Sequence, residues 1–324
     1  MSDLKVLVTG GAGFIGSHLV DKLASNGCGV VVLDDLCSGG KENIMDHLLE
    51  GRVEFLEGSI LDETAVERAI QGVDAVVHLA AIVSVPFSVS NPKLTYEVNV
   101  DGTRLLMDQC VASHVERFIL VSSCAVYGEP QYVPTDELHP VNPLSAYAES
   151  KLEAERTCIE ESELDDLERI VLRLFNVYGS RQASNGYAGV ISSFTECLAR
   201  AMPLTIYGDG LQTRDFVHVS DVVEAIWLAL TKAEVEGILN VASGRSIEIR
   251  ELAELMTELA GVDLSLVFEK PRNGDIRHSH GDYTRAWKML AYRPETELED
   301  GLNRLLENAD DALEARVARE VVVL

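Results

Sequence analysis

The amino-acid sequence predicts an α/β fold: a doubly wound parallel sheet with a second, smaller α/β lobe. Two observations carry this prediction. Short apolar runs alternate with longer amphipathic segments through the first half of the chain, and the alternation loosens after about residue 175. With 324 residues and 47% apolar content, the chain is long enough to bury a large core.

The predicted strands are rich in β-branched residues and apolar on both faces, as buried parallel strands are. They are KVLVTG at 5–10, VVVLDD at 30–35, VEFLEG at 53–58, AVVHLAA at 75–81, FILVSS at 118–123 and RIVLRLFNVYG at 169–179. Amphipathic helices are predicted between them, at 15–25, 63–72, 95–113 and 145–162. Because strands and helices alternate, we expect a parallel sheet with helices on both faces.

The larger lobe is predicted at 1–175 and the smaller lobe at 176–324. The pieces of the smaller lobe are a helix near 190–201, LTIYGDG at 204–210 and a helix from about Ser220. A segment near 211–235 is expected to return to the larger lobe.

Charge and hydropathy exclude several classes of protein. The formal net charge of −26 repels nucleic-acid phosphates, so we expect no nucleic-acid partner. No stretch approaches the roughly 18 uninterrupted apolar residues of a membrane span, and the N-terminus has no signal-type pattern. We therefore expect a cytoplasmic protein without a membrane partner. Salt adaptation and ordinary acidic solubility explain the charge equally well.

The six cysteines are scattered and include no Cys-x-x-Cys pair, which favours reduced thiols over a zinc site or disulfides. His278 and His280 are the only close histidine pair, and they have no cluster of carboxylates or cysteines beside them. We expect no metal site.

A glycine-rich turn, TGGAGFIG at 9–16, follows the first predicted strand and opens the first helix. Its glycines at 10, 13 and 16 let the backbone pass close to a pyrophosphate, and the helix that follows points N–H groups at that anion. Asp34 ends the second predicted strand, 24 residues after Gly10, where an acid accepts hydrogen bonds from the ribose of adenosine. Asp35 follows it and no arginine does, so a 2′-phosphate would be repelled. NAD is predicted in preference to NADP.

Tyr147 and Lys151 stand four residues apart in YAESK, so their side chains share one face of a predicted helix. A nearby ammonium favours a phenolate and lowers the pKa of a tyrosine. Taken alone, the pair favours a surface aromatic beside a solvated lysine, because Tyr-x-x-x-Lys often arises by chance.

With the glycine-rich turn, HLAA at 78–81, SSCAVYG at 122–128 and YAESK at 147–151, the chain resembles the extended short-chain dehydrogenase/reductase family. Within that family it is similar to the NAD-dependent nucleotide-sugar epimerases of the UDP-glucose 4-epimerase type. The resemblance runs nearly end to end, through NVDGT at 99–103, RLFNVYGSRQ at 173–182, YGDGLQTRDFVHVSDV at 207–222 and RNGDIRHSHGD at 272–282. It implies a Rossmann sheet as the NAD-binding domain and a nucleotide-sugar-binding second lobe.

The resemblance also implies a mechanism. Ser123, Tyr147 and Lys151 are the catalytic residues, and the pKa of Tyr147 is lowered toward neutrality by the ammonium and the nicotinamide. Tyr147 removes the 4′-hydroxyl proton, directly or through Ser123, while hydride passes to NAD⁺. The 4-keto sugar turns about its bond to the diphosphate and takes the hydride back on its other face. A homodimer formed by the helices near 92–113 and 145–162 is expected.

The residues implied in binding fall into two sets. Those for NAD are Gly10, Gly13, Phe14, Ile15, Gly16, Asp34, Asp35, Ser38, Gly39, Ser59, Ile60, Leu79, Ala80, Ala81, Asn99, Tyr147, Lys151 and Phe175. Those for a UDP-sugar are Ser84, Ser123, Tyr147, Asn176, Val190, Thr205, Tyr207, Arg214, Arg272, Asp275 and Ser279. The sequence departs from the family pattern at Ser59, where aspartate is frequent, and at Ser180, where proline is usual.

Neighbouring activities of the family stay open as alternatives: a UDP-glucuronate epimerase or decarboxylase, a dTDP-sugar dehydratase, or a dinucleotide-binding sensor without catalysis. Dehydratases place Asp-Glu directly after the catalytic serine, and decarboxylases keep the glutamate. Here Cys124 and Ala125 stand in those places, and neither can shuttle the additional proton. Glucuronate epimerases tend to have threonine at Asn176, so a neutral hexose is favoured. The small Ser279 predicts room for an N-acetyl group at C2 of the sugar.

Overall fold

The computed structural model describes residues 4–160, 166–182, 189–272 and 274–307. It contains thirteen strands within these ranges. The strands are β1 (Lys5–Thr9), β2 (Gly29–Asp34), β3 (Val53–Glu57), β4 (Ala75–His78), β5 (Arg117–Ser123), β6 (Glu168–Leu174), β7 (Asn176–Tyr178), β8 (Leu204–Tyr207), β9 (Thr213–Arg214), β10 (Phe216–His218), β11 (Gly237–Val241), β12 (Ile247–Glu248) and β13 (Leu266–Glu269). Seven of them form one parallel sheet in the order β11-β6-β5-β4-β1-β2-β3, and the others pair in three two-stranded sheets.

Helices cover both faces of the large sheet, as predicted. The helices are α1 (Phe14–Ser25), α2 (Met45–Leu49), α3 (Glu63–Ala69), α4 (Val85–Ser90), α5 (Pro92–Tyr96), α6 (Gly102–Ala112), α7 (Ala146–Glu160), α8 (Val190–Ala199), α9 (Val219–Thr231), α10 (Ile249–Leu259), α11 (Thr284–Leu290) and a last one, α12, over 298–307. Short 3-10 helices lie at Lys41–Ile44 and Cys124–Tyr127. None of the described helices is both long and apolar enough to cross a membrane.

Strand β1 shows why the sheet is buried on both faces. Successive side chains of a strand point to opposite faces. Val6 and Val8 lie in the apolar cluster formed with α1, α9 and α11, whereas Leu7 lies in the cluster formed with α3, α6 and α7. All three are fully buried. The doubly wound parallel sheet predicted from the apolar runs is confirmed.

The predicted strand at 169–179 is wrong in its length, because two strands of different sheets share that apolar run. Strand β6 ends at Leu174, and the chain turns at Phe175, whose backbone N–H donates to the carbonyl of Val241 at 2.9 Å. The next N–H, of Asn176, donates to the carbonyl of Asp215 at 3.0 Å. Strand β7 therefore pairs with β10, outside the large sheet.

Two further differences from the sequence prediction bear on the site. Strand β11 (Gly237–Val241) was not predicted, and it extends the large sheet beside β6, beyond the returning segment expected near 211–235. The helix predicted at 95–113 is interrupted by a π-helical turn at Glu97–Asp101 between α5 and α6. The end of the helix predicted at 145–162 lies outside the described residues.

A separate apolar cluster forms the core of the smaller lobe. Phe194 of α8, Ile206 of β8, Leu252 and Met256 of α10, and Leu302 of α12 are all fully buried in it. The division of the chain at 175 and 176 into an NAD-binding and a nucleotide-sugar-binding domain stays a prediction.

Candidate active site

Residues predicted to bind the cofactor lie directly after the carboxyl ends of four neighbouring strands. In an open α/β sheet, ligands bind in the crevice outside these ends. The turn at 10–16 follows β1, and Ser59 and Ile60 follow β3. Asp35, Ser38 and Gly39 follow β2. Leu79, Ala80 and Ala81 follow β4. Phe175 follows β6, farther along the same edge.

The turn between β1 and α1 has no room for side chains at its key glycines. Gly10 has a φ of +72°, and a Cβ there would lie 2.8 Å from the backbone nitrogen of Ala80. A Cβ on Gly16 would lie 2.1 Å from the carbonyl oxygen of Gly10. The N–H of Gly13 donates to that same carbonyl at 3.1 Å. Bare backbone at the start of the twelve-residue helix α1 fits the close approach of a pyrophosphate.

Asp34 fixes this turn against the end of β2. Its Oδ2 accepts from the backbone N–H of Ala12 at 2.9 Å, and its Oδ1 accepts from that of Leu36 at 2.8 Å. Burial raises the pKa of the Asp34 carboxyl, and these two hydrogen bonds oppose the rise. Each carboxylate oxygen keeps a lone pair that could accept from a ribose hydroxyl. The residues present therefore fit NAD.

His78 joins the end of β4 to the π-helical turn, a role that the sequence analysis missed. Thr9 Oγ1 accepts from the N–H of Ala80 at 3.3 Å and lies 2.7 Å from His78 Nδ1. Thr103 donates to the carbonyl of Asn99 at 2.7 Å and lies 2.9 Å from His78 Nε2. These partners place the proton on Nε2, so the neutral ring accepts from Thr9 and donates to Thr103. The sequence feature that points to this role of His78 is a histidine at the end of an otherwise apolar strand.

Asn99 lies in the π-helical turn and connects the segment after β4 to α7. Its side chain accepts from the N–H of Ile82 at 2.8 Å and donates to the Ile82 carbonyl at 3.0 Å. It also donates to Ser150 Oγ at 2.9 Å, and Ser150 donates to the carbonyl of Tyr147 at 2.8 Å. Asn99 is 2% exposed. π-Helical turns frequently occur at functional sites, and this one orients Asn99 toward the helix that carries Tyr147.

The Ser123 hydroxyl lies close to the Tyr147 phenol. Burial raises the pKa of Tyr147 to about 12, and the Ser123 hydroxyl opposes the rise. The expectation that the pKa is lowered toward neutrality is therefore wrong for the protein's own groups. Loss of water around the phenol outweighs the effect of the Ser123 hydroxyl.

Lys151 is 5% exposed, and its ammonium donates to the carbonyl of Val121 at 2.8 Å. Burial lowers the pKa of Lys151 to about 8, while Glu155, one helical turn away, raises it. Burial first, and then the Lys151 charge, lower the pKa of His78 to about 3. The structure thus places a buried cation beside a neutral imidazole at the end of β5.

Cys124 directly follows Ser123. Its thiol lies close to the Ser279 hydroxyl. Burial first, and then the Asp215 carboxylate, raise the pKa of Cys124 to about 12, so the thiol keeps its proton. The next residue, Ala125, has no titratable group. Neither side chain can exchange a proton with a sugar near neutral pH.

Asn176 and Ser279, both predicted to bind the substrate, are in contact. Asn176 Nδ2 donates to the carbonyl of Asp215 at 3.1 Å and lies 3.5 Å from Ser279 Oγ. Ser279 is 3% exposed, and its N–H donates to the carbonyl of Thr213 at 3.1 Å. The early end of β6 at Leu174 allows Asn176 to reach this position.

Asp215 holds three loops of the site together and was also missed in the sequence analysis. It is fully buried and accepts from Ser243 N–H at 2.8 Å, Ser243 Oγ at 2.7 Å, Gly244 N–H at 3.1 Å and Gly281 N–H at 3.0 Å. Its sequence signal is an aspartate directly before an apolar strand.

The residues predicted to bind the nucleotide form two contacts. Arg214 Nη2 lies 2.5 Å from Asp275 Oδ1, and Arg214 Nη1 donates to the carbonyl of Thr213 at 2.8 Å. The guanidinium carbon of Arg272 lies 3.8 Å from the ring centroid of Tyr207. Thr205 lies on β8 with Tyr207.

Four further residues from the sequence analysis are described only by their local structure. Ser84 caps α4 by accepting from the N–H of Phe87, and Val190 begins α8. Ser59 Oγ accepts from the N–H of Leu61 at 3.2 Å. The carbonyl of Ser180 lies 3.0 Å from His18 Nε2.

The fold and the site define a dinucleotide-binding enzyme, with a glycine-rich turn after β1 and a tyrosine–serine pair at the end of β5. Residues 6–242 match the model of the NAD dependent epimerase/dehydratase family, and the chain belongs to this family. It is 39% identical over 304 residues to a protein of Methanocaldococcus jannaschii named putative UDP-glucose 4-epimerase, covering 93% of this chain and 97% of that protein. It is 39% identical over 306 residues to the UDP-glucose 4-epimerase of Mycolicibacterium smegmatis, covering 94% and 98%.

Solved structures agree with this assignment. The Thermotoga maritima UDP-glucose 4-epimerase with UDP-glucose matches with a TM-score of 0.91 and 40% identity, over 96% of this chain and 100% of that one. The Methanobrevibacter ruminantium UDP-N-acetylglucosamine 4-epimerase, in complex with UDP-N-acetylmuramic acid, matches with a TM-score of 0.92 and 34% identity, over 96% and 100%. The Thermus thermophilus UDP-glucose 4-epimerase with NAD matches with a TM-score of 0.88 and 36% identity, over 95% and 100%.

Proposed function

We propose that this chain catalyses the NAD-dependent 4-epimerisation of a UDP-hexose through a 4-keto sugar, with Ser123, Tyr147 and Lys151 as its catalytic residues. The observation that carries the proposal is that the Ser123 hydroxyl lies close to the Tyr147 phenol, with the buried Lys151 four residues farther along α7. Cys124 and Ala125, next to this pair, offer no second proton-transfer group. Epimerisation needs one base and one hydride exchange, whereas elimination and decarboxylation in this family use an additional acid.

NAD would be held by the bare turn at 10–16 and by Asp34. When bound there, NAD would supply hydride exchange at C4′ of the sugar. Tyr147 accepts the 4′-hydroxyl proton, and the Ser123 hydroxyl orients the substrate oxygen toward the phenol. Since the protein alone holds the proton on Tyr147, we infer that this residue becomes a base only in the loaded enzyme. The buried ammonium of Lys151 favours that deprotonation electrostatically.

The nucleotide would lie between the two lobes. Arg214 and Arg272 suit a diphosphate, because a planar guanidinium binds two oxygens at once. Asp275 suits the ribose hydroxyls as an acceptor. The remaining proposed substrate contacts are Thr205 and Tyr207 near the base, and Ser84, Asn176, Val190 and Ser279 toward the sugar.

A neutral hexose fits the sugar side best, because Asn176 and Ser279 present an amide and a hydroxyl there. Ser279 has a small side chain, and we infer that it leaves room for an acetamido group at C2. The resemblance to both UDP-glucose and UDP-N-acetylglucosamine epimerases supports activity on both kinds of hexose.

We also propose a homodimer in the cytoplasm. The side chains of α7 are mostly buried within the chain, so they belong to its own core. Exposed apolar side chains lie instead on and beside α4 and α5: Val83 is 62% exposed, Val89 67% and Tyr96 45%. Sedimentation of the wild type and of Val89→Asp tests the assignment, since a charge at the centre of this patch should convert a dimer to a monomer.

A turnover assay tests the proposed reaction. Purified protein is incubated with UDP-galactose, UDP-N-acetylgalactosamine, UDP-glucuronate and dTDP-glucose, and the products are separated by anion exchange. The 4-epimers of the first two are expected. Release of CO₂ from UDP-glucuronate, or a 4-keto-6-deoxy product from dTDP-glucose, would establish one of the related activities instead.

A further inference from the structure

A buried ion pair lies behind the proposed catalytic residues. Glu155 of α7 is 2% exposed and Arg173 of β6 is 4% exposed. Arg173 donates to Glu155 through Nη2 at 2.6 Å and Nε at 3.0 Å. The Ser122 hydroxyl also donates to Glu155 Oε1. The guanidinium carbon of Arg173 lies 4.7 Å from the ring centroid of Tyr127.

This pair is connected to the catalytic residues at two points. Ser122 directly precedes Ser123 on β5, so the bond from Ser122 to Glu155 fixes the strand end that carries the catalytic serine. Glu155 also follows Lys151 by one helical turn, on the same face of α7. Lys151 itself donates to the carbonyl of Val121 at 2.8 Å. Two side chains of one helix therefore hold two successive residues of β5, directly before Ser123.

Stability alone is a weak reason for such an arrangement. Removing two charges from water costs free energy that their attraction only partly returns, and apolar side chains of similar size often serve a core as well. A second arginine–glutamate ion pair offers a comparison. Arg117, at the start of β5, pairs with Glu168, at the start of β6, and no proposed catalytic group lies beside them.

We propose that Glu155 is a positioning residue of the reaction: it fixes Ser123 through Ser122, and its buried negative charge keeps Lys151 protonated. This inference rests on the function proposed for Ser123, Tyr147 and Lys151. It assigns Glu155 a role in catalysis without contact to substrate or cofactor.

Several charged or titratable groups surround Lys151. Glu155 raises the pKa of Lys151, against the burial that lowers it to about 8. His78 of β4 faces it as a neutral ring, held by hydrogen bonds at both nitrogens. Arg173 of β6 lies beyond Glu155, and Tyr147 lies one turn earlier on α7. Loss of the Glu155 charge therefore lowers the pKa of Lys151 further, and the active cation disappears at a lower pH.

The test is the pH profile of Glu155→Gln, which keeps the shape and an acceptor oxygen but removes the charge. With NAD-loaded enzyme and UDP-galactose, we expect kcat at pH 7.5 to fall about 10-fold with KM nearly unchanged. The alkaline limb of kcat should move down by about one pH unit, the scale of shifts caused by one nearby charge. Glu168→Gln removes the same charge from the comparison pair and should leave the profile unchanged.

Glu155→Gln leaves the Arg173 cation buried without its anion, which could destabilise the fold. A second variant therefore tests the same charge effect without an unpaired buried cation. Glu155→Gln combined with Arg173→Met removes both charges, and its alkaline limb should be displaced in the same direction but by less, because the Arg173 cation is removed as well. A folded variant with the wild-type profile, or one that loses activity equally at every pH, overturns the proposal.

Titration of Lys151 separates this inference from the proposed function. The chain has eight lysines, so the ε-carbon signals of ¹³C-labelled lysine can be resolved, and Lys151→Arg identifies the signal of Lys151. A lower titration midpoint in Glu155→Gln supports the charge role even if the wild type fails to epimerise any UDP-hexose, in which case the proposed function alone fails. An unchanged midpoint overturns the inference.

Discussion

Asp34 Oδ2 accepts a hydrogen bond from the backbone N–H of Ala12 at 2.9 Å, and this bond ties the end of β2 to the glycine-rich turn. One carboxylate thus shapes the turn proposed to bind the pyrophosphate and lies where the ribose is expected. Cofactor selectivity and the shape of the turn should consequently change together when Asp34 is replaced.

Asp34→Asn should weaken NAD binding by about 10-fold and raise the affinity for NADP relative to NAD, because the charge that repels a 2′-phosphate is gone. Calorimetric titration of both cofactors measures the change. Asp74→Asn is the control, since Asp74 accepts from the N–H of Lys5 at the opposite edge of the sheet. Wild-type protein should release NAD(H) on denaturation, and finding mainly NADP(H) would contradict the assignment of Asp34.

Gly16→Ala should abolish tight NAD binding, because its Cβ would lie 2.1 Å from the Gly10 carbonyl oxygen and the backbone of the turn would have to move. Gly72→Ala is the control. Gly72 has a φ of +64° in open space, so that variant should lose roughly 1 kcal/mol of stability and keep its affinity for NAD. Equal NAD affinities of the two variants would remove the turn from the cofactor site.

His78 should make the protein sensitive to mild acid. Its pKa is lowered from 6.5 to about 3 in the folded chain. Between these values the unfolded chain binds the proton and the folded chain does not, so His78 destabilises the fold progressively as pH falls below about 6.5. One proton corresponds to about 1.4 kcal/mol per pH unit. Urea unfolding from pH 7 to 4 should show a shallower loss of stability in His78→Gln, and parallel curves would contradict a neutral His78.

The main sheet could be predicted from the sequence because β-branched apolar runs separated by amphipathic segments are compatible with few folds other than a parallel sheet covered by helices. The end of β6 could not, since apolar residues continue past Leu174 at Phe175, Val177 and Tyr178, and only the contacts of Phe175 and Asn176 divide the run. Strand β11 is short and follows a helix of the returning segment, so its pattern does not stand out.

The site was less predictable than the sheet. Motifs located Ser123, Tyr147 and Lys151, but the pKa of Tyr147 depends on burial, which the sequence does not give directly. The partners of His78, Asp215 and Glu155 come from distant parts of the chain, so their roles required the structure.

Ser279→Tyr should abolish activity on N-acetyl sugars, by at least about 100-fold, and spare UDP-glucose and UDP-galactose. Ser279 is buried beside Asn176 and Cys124, so a larger side chain would occupy the space proposed for the acetamido group. Ratios of kcat/KM for the two kinds of substrate measure the effect, with Ser279→Ala as the control that keeps the space. Equal losses on both substrates, or a wild type inert toward N-acetyl sugars, would show that Ser279 does not set this choice.

The most direct test of the central claim compares the wild type with Tyr147→Phe in converting UDP-galactose to UDP-glucose. Phenylalanine keeps the ring but removes the hydroxyl that lies close to Ser123. We predict that the wild type epimerises the substrate, and that the variant folds and retains NAD while its turnover falls by about two or more orders of magnitude, the usual scale for a general base. Near-normal turnover in Tyr147→Phe, or no turnover by NAD-loaded wild type, would contradict the account.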